Sequence, residues 1–102
     1  MTELTKGNFS AEVELAEQPV LIDFFAHRCR PCQMMAPVFE ELEREYGRSY
    51  KFCKVDTDAQ EGLAQQFDIL SVPTLVLMRE GEIRHRISGY RSKDDIAKIL
   101  SL

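Results

Sequence analysis

Apolar residues along this chain follow two rhythms, and the switches between them mark out its elements. Val20 to Ala26 is apolar at every position but Asp23, as a strand covered on both faces should be. Further on, Met35, Val38, Phe39, Leu42 and Tyr46 recur at helical spacing, with Glu40, Glu41, Glu43 and Arg44 between them. That pattern predicts a helix running to about Tyr46 and stopped by Gly47, with Pro37 expected to kink its axis. Tyr50 to Val55 reads as another strand, and Thr57 with Gln60 resembles a capping box for a short helix ending near Phe67. Thr74 to Met78 and Ile83 to Ser88 form a hairpin pattern around Glu80-Gly81. Ser92 with Asp95 then opens a last helix whose apolar side is Ile96, Ile99 and Leu100.

The first twenty residues are less regular. Met1 to Thr5 reads as a short edge strand, and Asn8 or Ser10 as the cap of a helix reaching about Glu17, before a turn at Gln18-Pro19. The whole order is β-α-β-α-β-α-β-β-α. Strands that first alternate with helices and then pair as a hairpin predict an α/β fold with a mixed sheet covered on both faces. Two parallel crossovers and an antiparallel hairpin at the end follow from that order. With no repeat, low-complexity stretch or linker, residues 1–102 are expected to form one domain.

Composition narrows the function classes. The net charge is −4, from 13 Lys and Arg against 17 Asp and Glu, and no like-charged block marks a nucleic-acid or polybasic membrane surface. No apolar run approaches the roughly 20 residues that span a bilayer. The segment Met1-Thr2-Glu3-Leu4-Thr5-Lys6 lacks the basic and apolar regions of a signal peptide, so a cytoplasmic location is expected. Three cysteines are too few for a secreted disulfide scaffold.

Two of those cysteines carry the candidate chemistry. In Cys29-Arg30-Pro31-Cys32 the thiols stand one helical turn apart, directly after the buried-strand pattern. With Pro31 opening the helix, Cys29 falls at its N-terminus, where unpaired N–H groups and the positive end of the dipole favour a thiolate. Arg28 and Arg30 flank Cys29 and act in the same direction. A zinc half-site completed by His27 or Cys53 is the competing reading, but structural zinc usually draws on two such pairs and only one is present. Cys53, in Phe52-Cys53-Lys54-Val55, reads as an inert core thiol, and His27 and His85 read as surface residues.

The element order, with this pair after the second strand, resembles the thioredoxin family over essentially the whole chain. Asp23, six residues before Cys29, stands where that family has a buried aspartate; Lys54 matches a strand lysine near it, and Pro37 the proline of the active-site helix. Val72-Pro73-Thr74 matches the segment in which the family's proline is cis, and Gly89 matches a glycine lining the substrate groove. The resemblance implies a five-stranded mixed sheet flanked by four helices and a protein-disulfide reductase without a bound cofactor. In that reading Cys29 attacks, Cys32 resolves, Asp23 takes a proton and Lys54 tunes Asp23. Arg28, Arg30, Pro31, Val72, Pro73, Gly89 and Tyr90 would line the docking edge. Electrons would come from NADPH through a separate thioredoxin reductase, and the protein would be a monomer acting on disulfide-containing proteins.

Two departures stand out. The family typically has Trp-Cys-Gly-Pro-Cys, whereas this chain has Arg28-Cys29-Arg30-Pro31-Cys32 and no tryptophan; Tyr90 is also bulkier than the residue usual after the glycine. The arginines predict a more oxidising pair, because they stabilise the reduced thiolate form. The alternatives are a more oxidising or glutathione-linked relative and a binding module of the same fold without redox turnover.

Overall fold

The computed structural model describes residues 1–101. Five strands, β1 (Thr2–Glu3), β2 (Val20–Phe25), β3 (Lys51–Asp56), β4 (Thr74–Arg79) and β5 (Glu82–Ser88), form one sheet in the order β1-β3-β2-β4-β5. β1 and β2 both run parallel to β3, while β4 is antiparallel to β2 and to β5. Three α-helices, α1 (Arg30–Tyr46), α2 (Glu61–Gln66) and α3 (Lys93–Leu100), and a π-helical turn at Ser10–Glu14 cover the sheet. This is the mixed α/β architecture that the hydrophobic pattern predicts.

The period of two in a strand explains how one sheet carries two cores. Val20, Ile22 and Phe24 of β2 join Cys53, Val55, Phe9, Leu63 and Phe67 on one face. Leu21 points the other way and packs with Phe52 and Leu75 against Met35, Phe39 and Leu42 of α1 and Ile96 and Leu100 of α3. The aromatic rings meet edge-on or tilted, Phe24 with Phe67 and Phe39 with Phe52 both at 5.1 Å between centroids. Parity then assigns Asp23 to the face of Leu21, beneath α1, and Cys53 to the opposite face. That alternation positions the site.

Local chemistry explains the ends of the elements. Ser92 caps α3, its Oγ accepting the N–H of Asp95 at 3.2 Å. Glu80 and Gly81 both have positive φ (55° and 79°), the two-residue turn whose twist matches that of antiparallel strands. Pro37 sits inside α1, which runs on through the lost backbone bond.

The first helix and the second capping box differ from expectation. Instead of a regular helix to Glu17, residues Ser10–Glu14 form a π-helical turn in which the Leu15 N–H reaches the Ser10 carbonyl at 3.0 Å. Asn8 does not cap it: its Oδ1 accepts from the Thr5 N–H and its Nδ2 donates to the Glu3 carbonyl. The Thr57–Gln60 capping box does not form, because longer-range partners claim both side chains. Thr57 Oγ1 donates to the Phe25 carbonyl and Gln60 Oε1 accepts from the Lys6 N–H, leaving α2 without a side-chain cap. The edge strand is also shorter than Met1–Thr5, although the Leu4 N–H still bonds the Lys54 carbonyl at 2.8 Å.

Candidate active site

Cys29 is the N-cap of α1, with extended backbone, and its sulfur accepts the N–H of Cys32 at 3.2 Å. The two cysteines are joined as a disulfide with their Cα atoms 5.1 Å apart. Their surroundings differ. Cys29 is partly exposed at the helix start, while Cys32 is buried against the core. A thiolate at Cys29 therefore has a backbone donor already aimed at it and solvent on its outer side, which suits a nucleophile.

Beneath α1, Asp23 and Lys54 are direct register partners across β2 and β3. Asp23 is only 5% exposed and its Oδ1 has no hydrogen-bond partner. Burial raises its carboxyl from 3.8 to about 7, against the opposing pull of the Lys54 ammonium. A cavity of about 230 Å³ opens here, lined by Asp23, Lys54, Cys32, Gln33, Phe39 and Glu40 among others. Buried thiol and buried carboxyl thus border one space, large enough for water, with the carboxyl able to change protonation near neutral pH.

On the outer side, the Val72–Pro73 bond is cis, and the Val72 carbonyl oxygen lies 3.5 Å from Cys29 Sγ. Gly89, at φ 88°, donates its N–H to the Pro73 carbonyl at 2.8 Å, which ties the end of β5 to this segment. Tyr90 follows it, 41% exposed, and Leu70 is 96% exposed two residues before Val72. Arg28, Arg30 and Pro31 are all on the surface beside Cys29. Of the sequence-predicted residues, Asp23 and Lys54 thus share a cavity with Cys32, Val72 lies beside Cys29, Gly89 is bonded to Pro73, and Arg28, Arg30 and Pro31 adjoin Cys29 in the chain.

Sequence reasoning missed three features. Gln33 and Glu40 join the cavity wall, and their spacing of seven residues along α1 was the available signal. Gln33 also donates its side-chain N–H to the His27 carbonyl at 2.8 Å, steadying the loop before Cys29. His27, read as a residue without a sequence partner, lies 3.2 Å from Asp56 at the end of β3, a contact that only the strand register creates. Among the described residues, no group of three or more His, Cys, Asp or Glu side chains is placed to hold a metal ion, and no helix is long and apolar enough to cross a membrane.

A cysteine pair at a helix start, above a buried carboxyl and beside an open backbone edge, defines a thiol–disulfide oxidoreductase. Comparison with known proteins gives the same class. The thioredoxin family model matches residues 1–101. The chain is 38% identical to thioredoxin of Listeria monocytogenes over 97% of its length and 94% of that protein's. It is 36% identical to thioredoxin of Bacillus subtilis over 99% of its length and 95% of that protein's. A bifunctional thioredoxin reductase/thioredoxin of Mycobacterium leprae matches at 37% over 97% of this chain and 22% of its own. The chain belongs to the thioredoxin family and is a thiol–disulfide oxidoreductase.

Proposed function

We propose that the protein reduces disulfides in other proteins, with Cys29 as the attacking thiol and Cys32 as the resolving one. The observation that carries this assignment is the asymmetry of the pair: Cys29 caps the helix with a backbone N–H on its sulfur, whereas Cys32 is buried one turn in. The Cys29 thiolate attacks one sulfur of the substrate disulfide, and the other sulfur leaves as a thiolate that takes a proton from solvent. Cys32 gives its proton to the Asp23 carboxylate, by way of the cavity, and its thiolate attacks the Cys29 sulfur. The second substrate thiolate is expelled, the Cys29–Cys32 bond closes, and two electrons have passed to the substrate.

Lys54 limits how far burial can raise Asp23, which keeps the carboxylate form accessible near neutral pH. Substrate backbone pairs with the edge at Val72 and Pro73, bordered by Gly89 and Tyr90, while Arg28, Arg30 and Pro31 border the other side. The family and the reductase fused to one relative support a thioredoxin reductase as electron donor, itself fed by NADPH. In this reading the chain is one thioredoxin domain, a monomeric electron carrier in the cytoplasm.

Reduction of insulin driven by dithiothreitol tests the assignment. The native protein accelerates it, Cys29→Ser abolishes the acceleration, and Cys32→Ser accumulates a mixed disulfide with the substrate. Equal rates for the native protein and Cys29→Ser would refute it.

A further inference from the structure

Arg28 and Arg30 are placed where the helix itself opposes them. Arg30 is the first residue of α1, at the positive end of the dipole, where anions rather than cations are stabilised. The first turn contains no acidic residue to relieve it. Both arginines are exposed, and among the described residues neither guanidinium forms a salt bridge. Asp56, an acid at the end of β3 beside this loop, is held by His27 at 3.2 Å. On a chain of net charge −4, the one helix terminus that carries the reactive sulfur is cationic. Among the described residues, the Cys29 thiolate is the one anion of the free protein beside them, and it is consumed when the substrate disulfide is attacked. Two charges set against the helix field with no carboxylate partner then point to acidic groups on the substrate.

We propose that Arg28 and Arg30 select target disulfides flanked by acidic side chains. The inference rests on Cys29 being the attacking sulfur: a substrate disulfide bonded to it sits at the residue that Arg28 and Arg30 flank in the chain, both of them on the surface. The partner is a polypeptide rather than a small anionic disulfide, because Leu70 and Tyr90 expose apolar surface beside the Val72–Pro73 edge that only a longer chain would cover. Arg91, by contrast, is followed within four residues by Asp94 and Asp95 in the acidic first turn of α3.

The experiment compares three peptides of equal length, each closed by a disulfide and carrying glutamate, glutamine or lysine on either side of one cysteine, with oxidised glutathione as a fourth substrate. Ratios of kcat/KM between peptides cancel any effect of the arginines on Cys29 itself, because that effect is shared by every substrate. Exposed ion pairs change affinity by roughly two- to fivefold each, so the glutamate peptide should be favoured over the lysine peptide by about tenfold. The ratio should fall toward one in the Arg28→Gln/Arg30→Gln variant and in about 0.5 M salt, where the Debye length has shrunk to a few ångströms. Equal rates for the three peptides, an acidic preference that survives in the double variant, or glutathione disulfide outcompeting the glutamate peptide would each overturn the proposal. Failure to reduce any substrate, insulin included, would instead overturn the assignment of Cys29 on which it rests.

Discussion

Replacing Asp23 with asparagine should change the stability of the folded protein by an amount that moves in favour of asparagine as pH rises, in a calculable way. Burial raises the Asp23 carboxyl from 3.8 to about 7, with Lys54 pulling the other way. A group whose affinity for its proton rises on folding stabilises the fold while protonated, and that stability is lost as pH climbs from the unfolded value to the folded one. Below about pH 3 both states hold the proton and the carboxyl contributes nothing to the pH dependence. Each tenfold difference in proton affinity is worth about 1.4 kcal/mol, so ionised Asp23 costs the folded state about 4 kcal/mol once pH exceeds 8. The same linkage relation gives a cost of about 1.5 kcal/mol at pH 5 and about 3 kcal/mol at pH 6. Asparagine has nearly the same shape and no charge, but its amide adds a constant offset of about 1–3 kcal/mol if left unpaired.

The prediction therefore concerns the slope. Urea unfolding of the oxidised native protein and of Asp23→Asn, from pH 4 to pH 9, keeps Cys29 and Cys32 from titrating and lets all other groups cancel in the difference. The stability difference should grow by about 4 kcal/mol in favour of asparagine between pH 4 and pH 8 and then level off. A difference that stays flat over that range would show that the carboxyl is not held by burial as the structure indicates.

The remaining expectations need simpler assays. Arg28→Gln/Arg30→Gln should lower the reduction potential of the pair, whose native value should lie above the about −270 mV of thioredoxin itself; equilibration with glutathione measures both, and an unchanged potential would count against the arginines. Burial raises the Cys53 thiol to about 11 and the residue is fully covered, so alkylating agents at pH 8 should label it only after denaturation. Phe39→Ala empties a site between α1 and Phe52 and should cost about 3–5 kcal/mol by chemical denaturation. Ser92→Ala removes the bond to the Asp95 N–H and should cost about 1 kcal/mol, readable as a lower Tm.

What could be read from the sequence was what depends on neighbours along the chain. The Ser92 cap, the Glu80-Gly81 turn and the helical spacing of Met35, Phe39 and Leu42 each involve residues a few positions apart, and each appears as expected. The Thr57–Gln60 box had the same local signature and failed, because Phe25 and Lys6 offered partners that only the folded sheet brings close. The π-helical turn was hidden for a related reason: Asn8 spends both ends of its amide on Thr5 and Glu3. At the site, the sequence singled out Asp23 as the one acid in an apolar strand, but the face it takes under α1, its register with Lys54 and the His27–Asp56 contact appear only in the folded sheet. The cavity was invisible, since its walls come from β2, β3 and α1 together.

Cys53 lies on the face of β3 turned away from α1. Three thiols can close a disulfide in three ways, and two of those would leave the protein unable to turn over. Because neighbouring strand positions face opposite ways, the sheet stands between Cys53 and the reactive pair throughout every cycle of opening and closing. The fold therefore edits its own isomers, and a one-residue slip in β3, which would turn Cys53 toward the helix, is the error it must exclude.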